Sequence, residues 1–189
     1  MIPPLDPVTG QLPHGRFSCT LPEVKAAFVD DPAFASSGTR QLRFEKMVEY
    51  LFEWQRVESA AGVGKILRDL WIGGSFTSAV LNPEDVDVSP IVDAEALDRL
   101  RGKPGSKNAK ELFSQRTAVR MEYGVEPFVV LWRPVTVLKV RKLDMHGHDY
   151  VATRGLMDDF WQRCAPPGPK GPMTTASAGP ARGYLEVKL

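Results

Sequence analysis

The sequence predicts an α+β domain, in which a mixed or antiparallel sheet is flanked by helices. Helical spacing of apolar residues dominates the first third of the chain, and short runs rich in valine, isoleucine and leucine follow between further helical segments. The length of 189 residues and the hydrophobic content of 43% suit one domain with a substantial core. We therefore expect a single domain over residues 1–189.

The chain begins with a proline-rich leader and a capped helix. Four prolines within residues 1–19 exclude a regular helix there, because each proline ring removes a hydrogen-bond donor. We expect these residues to lie extended across the surface. Thr20, Pro22 and Glu23 then form the pattern of a capping box, in which the threonine caps the helix and the glutamate returns the hydrogen bond.

The longest predicted helix runs from Ser37 to about Ala61. Gly62 and Gly64 mark its end, because glycine tolerates the left-handed conformation of a helix cap. The apolar positions that indicate the helical period are Leu42, Met47, Val48, Leu51, Phe52 and Trp54.

Strands are predicted on both sides of a glycine pair and again later in the chain. "ILRDLWIGG" predicts a strand that enters a turn, and "DVDVSPIVD" predicts a second strand with Asp85 and Asp87 on one face. "VEPFVVLWRP" and "VTVLKVRKL" predict two strands joined by a tight turn at Pro134. "GYLEVKL" is expected to form the last strand.

Further helices are predicted between and after these strands. They cover "DAEALDRLRG" and "NAKELFSQRTAVRMEYG", separated by the loop "KPGSK", and later "GLMDDFWQRC". "MHGHDY" is expected to be a polar loop rather than a cluster of metal ligands. Residues 165–183 are rich in proline, glycine and serine and predict a loop.

Composition excludes several classes of protein. Lys+Arg number 24 against 23 Asp+Glu, so the net charge gives no argument for a nucleic-acid or membrane partner. Cys19 and Cys164 lie too far apart for a zinc motif, and we expect both to be reduced. No apolar run is long enough to span a membrane and no signal peptide is apparent, so the expected location is the cytoplasm.

The stretch "GGSFTSAVLNPEDVDV" combines residue types suited to phosphate and metal binding. The glycines Gly73 and Gly74 allow the backbone to approach an anion closely, and Ser75 adds a hydroxyl at the start of a turn. Two carboxylates on the next strand, Asp85 and Asp87, are hard oxygen ligands of the kind that magnesium prefers. A serine hydrolase is excluded, because residue 77 is threonine where the Gly-x-Ser-x-Gly motif requires glycine.

This stretch resembles a known signature. The Gly-Ser pair at 74–75, nine further residues and then Asp85-Val86-Asp87 are similar to the motif of the nucleotidyltransferase superfamily typified by DNA polymerase beta. The likeness is closest to small bacterial nucleotidyltransferase-like proteins, in which a Gly-Ser-Phe turn precedes a Pro-x-Asp-x-Asp run. The motif core spans residues 68–92, and the preceding long helix and a later acid-bearing strand extend the likeness over most of the chain.

The resemblance implies a site and an activity. Asp85, Asp87 and a third acid, Glu126, would bind Mg²⁺ or Mn²⁺, and the turn at 73–75 would hold the phosphates of an NTP. Glu126 would also activate the acceptor hydroxyl. The implied reaction transfers NMP from an NTP, and relatives in the superfamily modify antibiotics, proteins or the ends of tRNA. Among these we expect an RNA or protein acceptor and a role as a toxin or phage-defence component; a small-molecule acceptor would need an enclosed apolar pocket.

Other interpretations remain open at the level of sequence. A catalytically silent nucleotidyltransferase-like module would bind nucleotide or a partner protein, and in a structural protein residues 71–93 would be only a turn. The basic segment from Arg99 to Arg120 suits a solvated helix face, or alternatively contact with a triphosphate or a polynucleotide acceptor.

Overall fold

One mixed sheet forms the centre of the molecule. The computed structural model describes residues 1–137, 139–164 and 174–189. The six strands within these ranges are β1 (Gly15–Cys19), β2 (Leu67–Ile72), β3 (Val86–Asp93), β4 (Val125–Pro127), β5 (Val130–Trp132) and β6 (Gly183–Lys188). Their order is β1-β6-β2-β3-β4, and β5 pairs with β3 beyond β4.

Helices flank this sheet, which confirms the predicted α+β class. Those in the described ranges are α1 (Leu21–Phe28), α2 (Arg40–Ala61), α3 (Ala94–Leu100), α4 (Ser106–Ser114), α5 (Arg116–Tyr123) and α6 (Met145–Trp161). In the part of the chain that the structure describes, none of them has the length and apolarity that crossing a membrane requires.

The strands run in both directions. β2 is antiparallel to both of its neighbours, β6 and β3, whereas β1 is parallel to β6. β4 and β5 are both parallel to β3, and they pair with its first and second halves respectively. They therefore act as one interrupted edge strand beside β3.

Alternation along the strands divides the core into two layers. Leu70 and Val88 belong to the larger cluster, which contains the buried side chains of α2. Trp71 and Ile91 belong to the smaller cluster, where Trp161 of α6 covers the opposite face. Because successive strand residues point to opposite faces, Asp87 lies on the α6 side of the sheet.

The predicted start of α1 is confirmed. The Thr20 hydroxyl accepts a hydrogen bond from the Glu23 N–H, and the Glu23 carboxylate accepts one from the Thr20 N–H at 2.8 Å. The predicted end of α2 is also confirmed, because Gly62 caps the helix with φ 60°. The strands predicted for β2, β3 and β6 are present at the expected positions.

Two details of the N-terminal half differ from the prediction. The leader ends in β1, so only residues 1–14 lie outside regular helix and strand. Helix α2 begins at Arg40 rather than Ser37, and two of its predicted apolar positions, Leu42 (50%) and Phe52 (56%), are exposed. The buried face instead includes Phe44 and Val57, which continue the helical period of Met47 and Trp54.

The prediction of a strand over "VTVLKVRKL" is wrong. Val135 and Val137 form no strand and are each 37% exposed, and Val140–Lys142 forms a short 3₁₀ turn. Residue 138 lies outside the described residues. The β-branched side chains favour a strand, but this segment is paired with no strand of the described sheet, so their propensity has no effect.

The later helices also differ from the prediction. The segment after the loop at 103–107 forms two helices, because the backbone at Gln115 has a non-helical ψ of 59°. "MHGHDY" forms the start of α6 rather than a loop. Asp144 is the signal that marks this start, since its carboxylate accepts the Gly147 N–H at 2.7 Å. Of the predicted loop 165–183, residues 165–173 lie outside the description and Thr175–Ser177 forms a 3₁₀ turn.

A buried arginine joins α1, α2 and the loop after β2. The Arg40 guanidinium donates to the carbonyls of Phe28 (3.0 Å) and Phe76 (2.7 Å) and to those of Ser78 (2.7 Å) and Val80. Burial lowers its pKa to about 10. The carbonyls gather on this guanidinium because a buried charge must be hydrogen-bonded.

We predict that Arg40→Met lowers the free energy of unfolding by about 3 kcal/mol or more, because several buried carbonyls lose their donor. Urea unfolding followed by circular dichroism measures the change. Arg56→Met is the matched control on the same helix, since Arg56 is 76% exposed and its loss should cost less than about 0.5 kcal/mol. Equal losses in the two variants would contradict the structural role of Arg40.

The two cysteines should differ in reactivity. Cys19 is buried and its burial raises the pKa of the thiol to about 12, whereas Cys164 is partly exposed. Only the thiolate reacts with disulfide reagents, so Cys19 should stay unmodified in mildly alkaline buffer. A disulfide-exchange titration should count one fast thiol in the native protein and two after denaturation. Rapid modification of both thiols in the native state would contradict the buried position of Cys19.

Candidate functional site

The glycine turn after β2 lies directly against the acidic strand. Gly74 has φ 67° and ψ −160°, a conformation that is essentially restricted to glycine. A side chain at Gly74 would collide with the Asp87 carboxylate, and one at Gly73 would collide with the Trp161 ring. The Gly73 N–H also donates to the Asp87 carbonyl at 3.0 Å. Both glycines are therefore required by close approach.

A second buried arginine braces this turn. The Arg182 guanidinium donates to the Gly74 carbonyl at 2.7 Å and to the Thr77 hydroxyl at 3.0 Å. Burial lowers the pKa of Arg182, and the nearby Asp87 opposes this shift. A 3₁₀ turn follows at Ser75–Thr77. Among the described residues, none forms a hydrogen bond with the Ser75 hydroxyl.

The predicted acids occupy neighbouring positions on β3 and β4. Asp87 and Glu126 are direct partners in the parallel pairing of these strands, so their side chains leave the sheet on the same face. Asp85 immediately precedes β3, and its side chain is 13% exposed. The fold thus gathers Asp85, Asp87 and Glu126, which we call the acidic trio, beside the turn at Gly73 and Gly74.

Two arginines of α5 form ion pairs with members of the acidic trio. Arg120 lies 2.7 Å from the Asp85 carboxylate, and Arg116 contacts the Glu126 carboxylate. The Arg116 guanidinium also lies over the Phe128 ring at 4.2 Å. Within the described ranges, no three His, Cys, Asp or Glu side chains are arranged so that they could hold a metal ion.

The residue types of the acidic trio suit a hard divalent cation, although the side chains would have to rearrange to hold one. Carboxylate oxygens are the ligands that Mg²⁺ and Mn²⁺ prefer, and the acidic trio supplies them from adjacent positions. Binding of a metal would require Arg116 and Arg120 to move away from their acids. The arginine side chains are 48% and 45% exposed, so both can swing towards solvent, whereas the Asp85 and Glu126 side chains are only 13% and 26% exposed.

Three aromatic side chains, which we call the aromatic wall, lie on the α6 side of the site: Phe128, Phe160 and Trp161. The Trp161 indole packs against Gly73 and donates to the Ser89 hydroxyl at 2.9 Å. Phe128 and Phe160 contact the Trp161 ring, with centroid separations of 5.4 Å and 4.9 Å. This contact fixes the position of the turn relative to α6.

Sequence reasoning missed the aromatic wall and Arg182. Arg182 follows a proline- and glycine-rich segment, and no local pattern indicates that it contacts a turn 108 positions earlier. The basic segment that contains Arg116 and Arg120 was predicted, but its ion pairs with Asp85 and Glu126 were not.

Comparison with known proteins assigns the chain to a family. Residues 3–187 match the family of unknown function DUF6932. The chain belongs to the DUF6932 family. No curated protein and no solved structure matched it. Membership of DUF6932 supplies no activity, so any functional inference depends on the geometry of the turn and the acidic trio.

The turn of this DUF6932 chain can be tested with a pair of glycine variants. Gly62→Ala should cost about 1 kcal/mol of stability, because φ is 60° there and no atom lies within 4 Å of the added carbon. Gly74→Ala should cost at least about 2 kcal/mol more, because the added carbon collides with Asp87. Chemical denaturation measures both values. A Gly74 variant as stable as the Gly62 variant would show that the turn is not packed on Asp87.

Proposed function

We propose that the chain is a metal-dependent nucleotidyltransferase, which transfers NMP from an NTP to a hydroxyl of an RNA or protein acceptor. The proposal extends the likeness to the superfamily typified by DNA polymerase beta. One observation carries it: the glycine turn lies against Asp87, and Glu126 is the direct strand partner of that same residue. A phosphate-binding turn and a set of metal-binding acids would need this proximity.

The orientation of the turn supports phosphate binding. The carbonyl of Gly74 accepts from the buried Arg182 guanidinium at 2.7 Å. In a trans peptide the N–H of the next residue points the opposite way, so the Ser75 N–H faces away from Arg182. Ser75 as a whole is partly exposed. In our proposal Gly73, Gly74 and Ser75 hold the terminal phosphates of the NTP.

The acidic trio has the second role. Asp85, Asp87 and Glu126 would hold Mg²⁺ or Mn²⁺, and the bound ion would neutralise charge on the phosphates. Glu126 would accept the proton of the acceptor hydroxyl. The acceptor oxygen would then form a bond to the α-phosphorus while the bond to pyrophosphate breaks and pyrophosphate leaves. Catalysis in this scheme depends mainly on alignment of the two reactants.

The proposed setting is a toxin–antitoxin or phage-defence system in the cytoplasm. Small relatives in the superfamily that the chain resembles modify antibiotics, proteins or the ends of tRNA, and some serve as toxins or phage-defence effectors. Of these acceptors, RNA or protein is the class proposed for this chain. A protein partner that controls such an effector is part of this proposal.

A second candidate is a catalytically silent module that binds nucleotide or a partner protein. The ion pairs from Arg120 to Asp85 and from Arg116 to Glu126 favour it, because arginines that stay in place would exclude a metal. The silent module and the enzyme therefore differ in their response to divalent cations.

We expect an NTP with Mg²⁺ or Mn²⁺ to raise the unfolding temperature more than the NTP alone. At a hundredfold excess over Kd, the stabilisation should be about 2.7 kcal/mol. Asp85→Asn and Asp87→Asn should remove the metal-dependent part and abolish transfer of labelled NMP. Thermal shift assays and gel assays of labelled acceptor measure these effects.

Asp69→Asn is the matched control for these variants. Asp69 lies on β2, is partly buried and pairs with Lys188 at 3.2 Å, but it is not a member of the acidic trio. It should keep the full metal response. Stabilisation by NTP without any metal dependence would favour the silent module, and full transfer activity in Asp85→Asn and Asp87→Asn would exclude the proposed enzyme.

A further inference from the structure

An open cavity adjoins the acidic trio on the side away from the glycine turn. Its volume is about 480 Å³, and it is lined by Ser114, Gln115, Arg116, Thr117, Arg120 and Glu126. We propose that this cavity, the α5 cavity, binds the phosphodiester backbone of a single-stranded nucleic-acid acceptor. The inference rests on the proposed function, because it names the substrate class of the same site.

The order of groups across the sheet separates the two anion sites. Gly73, at the end of β2, bonds to Asp87 on one side, and Glu126 on β4 lies next to Asp87 on the other side. Arg116 of α5 contacts Glu126 from beyond β4. The acids thus lie between the turn, which would hold the NTP phosphates, and the α5 cavity, which is left for a second substrate.

The two arginines are available to a ligand once the acids bind a metal. Arg116 and Arg120 lie one helical turn apart on α5, so both guanidinium groups reach the same side of the helix. A cation on Asp85 and Glu126 would release them into the α5 cavity. Arg120 would keep only its 3.7 Å contact to the exposed Glu84 carboxylate. The two guanidinium groups there would attract successive phosphates of a strand.

The other lining residues favour a nucleic acid over a protein. Every residue that lines the α5 cavity is polar or charged. Serine, threonine and glutamine side chains are, with arginine, the usual donors to phosphate oxygens. A protein acceptor would be expected to dock on apolar or aromatic anchors, which this cavity lacks among its lining residues.

Fluorescence anisotropy with a labelled single-stranded RNA oligonucleotide, with Mg²⁺ and without NTP, tests the inference, because the cation is what releases the two arginines from their acids. Arg116→Gln/Arg120→Gln should weaken binding about tenfold and reduce the slope of log K against log salt by about 1.4. Lys107→Gln/Lys110→Gln on α4 removes the same charge from exposed positions outside the cavity, and it should change the affinity less than about threefold. Equal losses in the two double variants would overturn the proposal.

A second pair of variants tests the release of the arginines. Without metal, Asp85→Asn/Glu126→Gln should increase the affinity for the oligonucleotide, because Arg116 loses its ion-pair partner and Arg120 keeps only the longer contact to the Glu84 carboxylate at 3.7 Å. Glu111→Gln/Glu122→Gln makes the same change of charge on α4 and α5 without releasing these two arginines. A gain no larger than that of the control pair would overturn the proposal. Circular dichroism checks that all four double variants are folded.

Two further measurements distinguish failure of the α5 cavity as a nucleic-acid site from failure of the proposed nucleotidyltransferase activity. An NTP with Mg²⁺, added to the wild-type complex, should not displace the oligonucleotide; displacement would place the NTP phosphates in the α5 cavity and overturn the inference. Absence of oligonucleotide binding by the wild type would also overturn it and favour a protein acceptor. The proposed nucleotidyltransferase fails separately, if the wild type shows no metal-dependent stabilisation by any NTP.

Discussion

The buried guanidinium of Arg40, at the start of α2, holds the loop after β2, which continues from the glycine turn of the candidate site. Arg40 gathers carbonyls from α1 and from the loop after β2, and Arg182 holds the Gly74 carbonyl from another direction. Two guanidinium groups thus fix one short stretch of backbone. Neither forms an ion pair that the structure describes, so their cost of burial is offset mainly by backbone carbonyls. Hydrogen bonds from the protein itself therefore hold the turn in place.

The parts of the fold that could be predicted from the sequence are determined by residues that lie close together in the sequence. The capping box at Thr20, the glycine end of α2 and the alternation around Asp87 all depend on residues within a few positions. The parts that sequence reasoning missed depend on distant pairing. Val135 and Val137 have strand propensity but pair with no strand of the described sheet. Arg182 contacts the Gly74 turn only because β6, which follows it, pairs with β2. For the site, the residue types of the acidic trio were predictable, whereas their arginine partners depend on where α5 packs.

If a cation replaces the arginines at the acidic trio, binding of that cation is linked to binding of an anion by the arginines. In the structure the charges of Asp85 and Glu126 are balanced by Arg120 and Arg116, which limits repulsion between carboxylates on one face. If a cation replaces the arginines, an anion that binds the arginines stabilises the same arrangement. By thermodynamic reciprocity, each ligand would then raise the affinity for the other. A site of this design would assemble fully only when both substrates are present.

The position of β6 has a consequence for how the protein is made. This strand comes last in the described sequence, yet it lies between β1 and β2 in the sheet. Within the described sheet, β1 therefore lacks its partner until residues 183–188 have left the ribosome. Arg182 precedes this strand, so the brace on Gly74 also arrives at that moment. A nascent chain without residues 182–188 would carry the acids and the glycine turn without the contacts that hold them in order, so the site would form only after this segment has been synthesised.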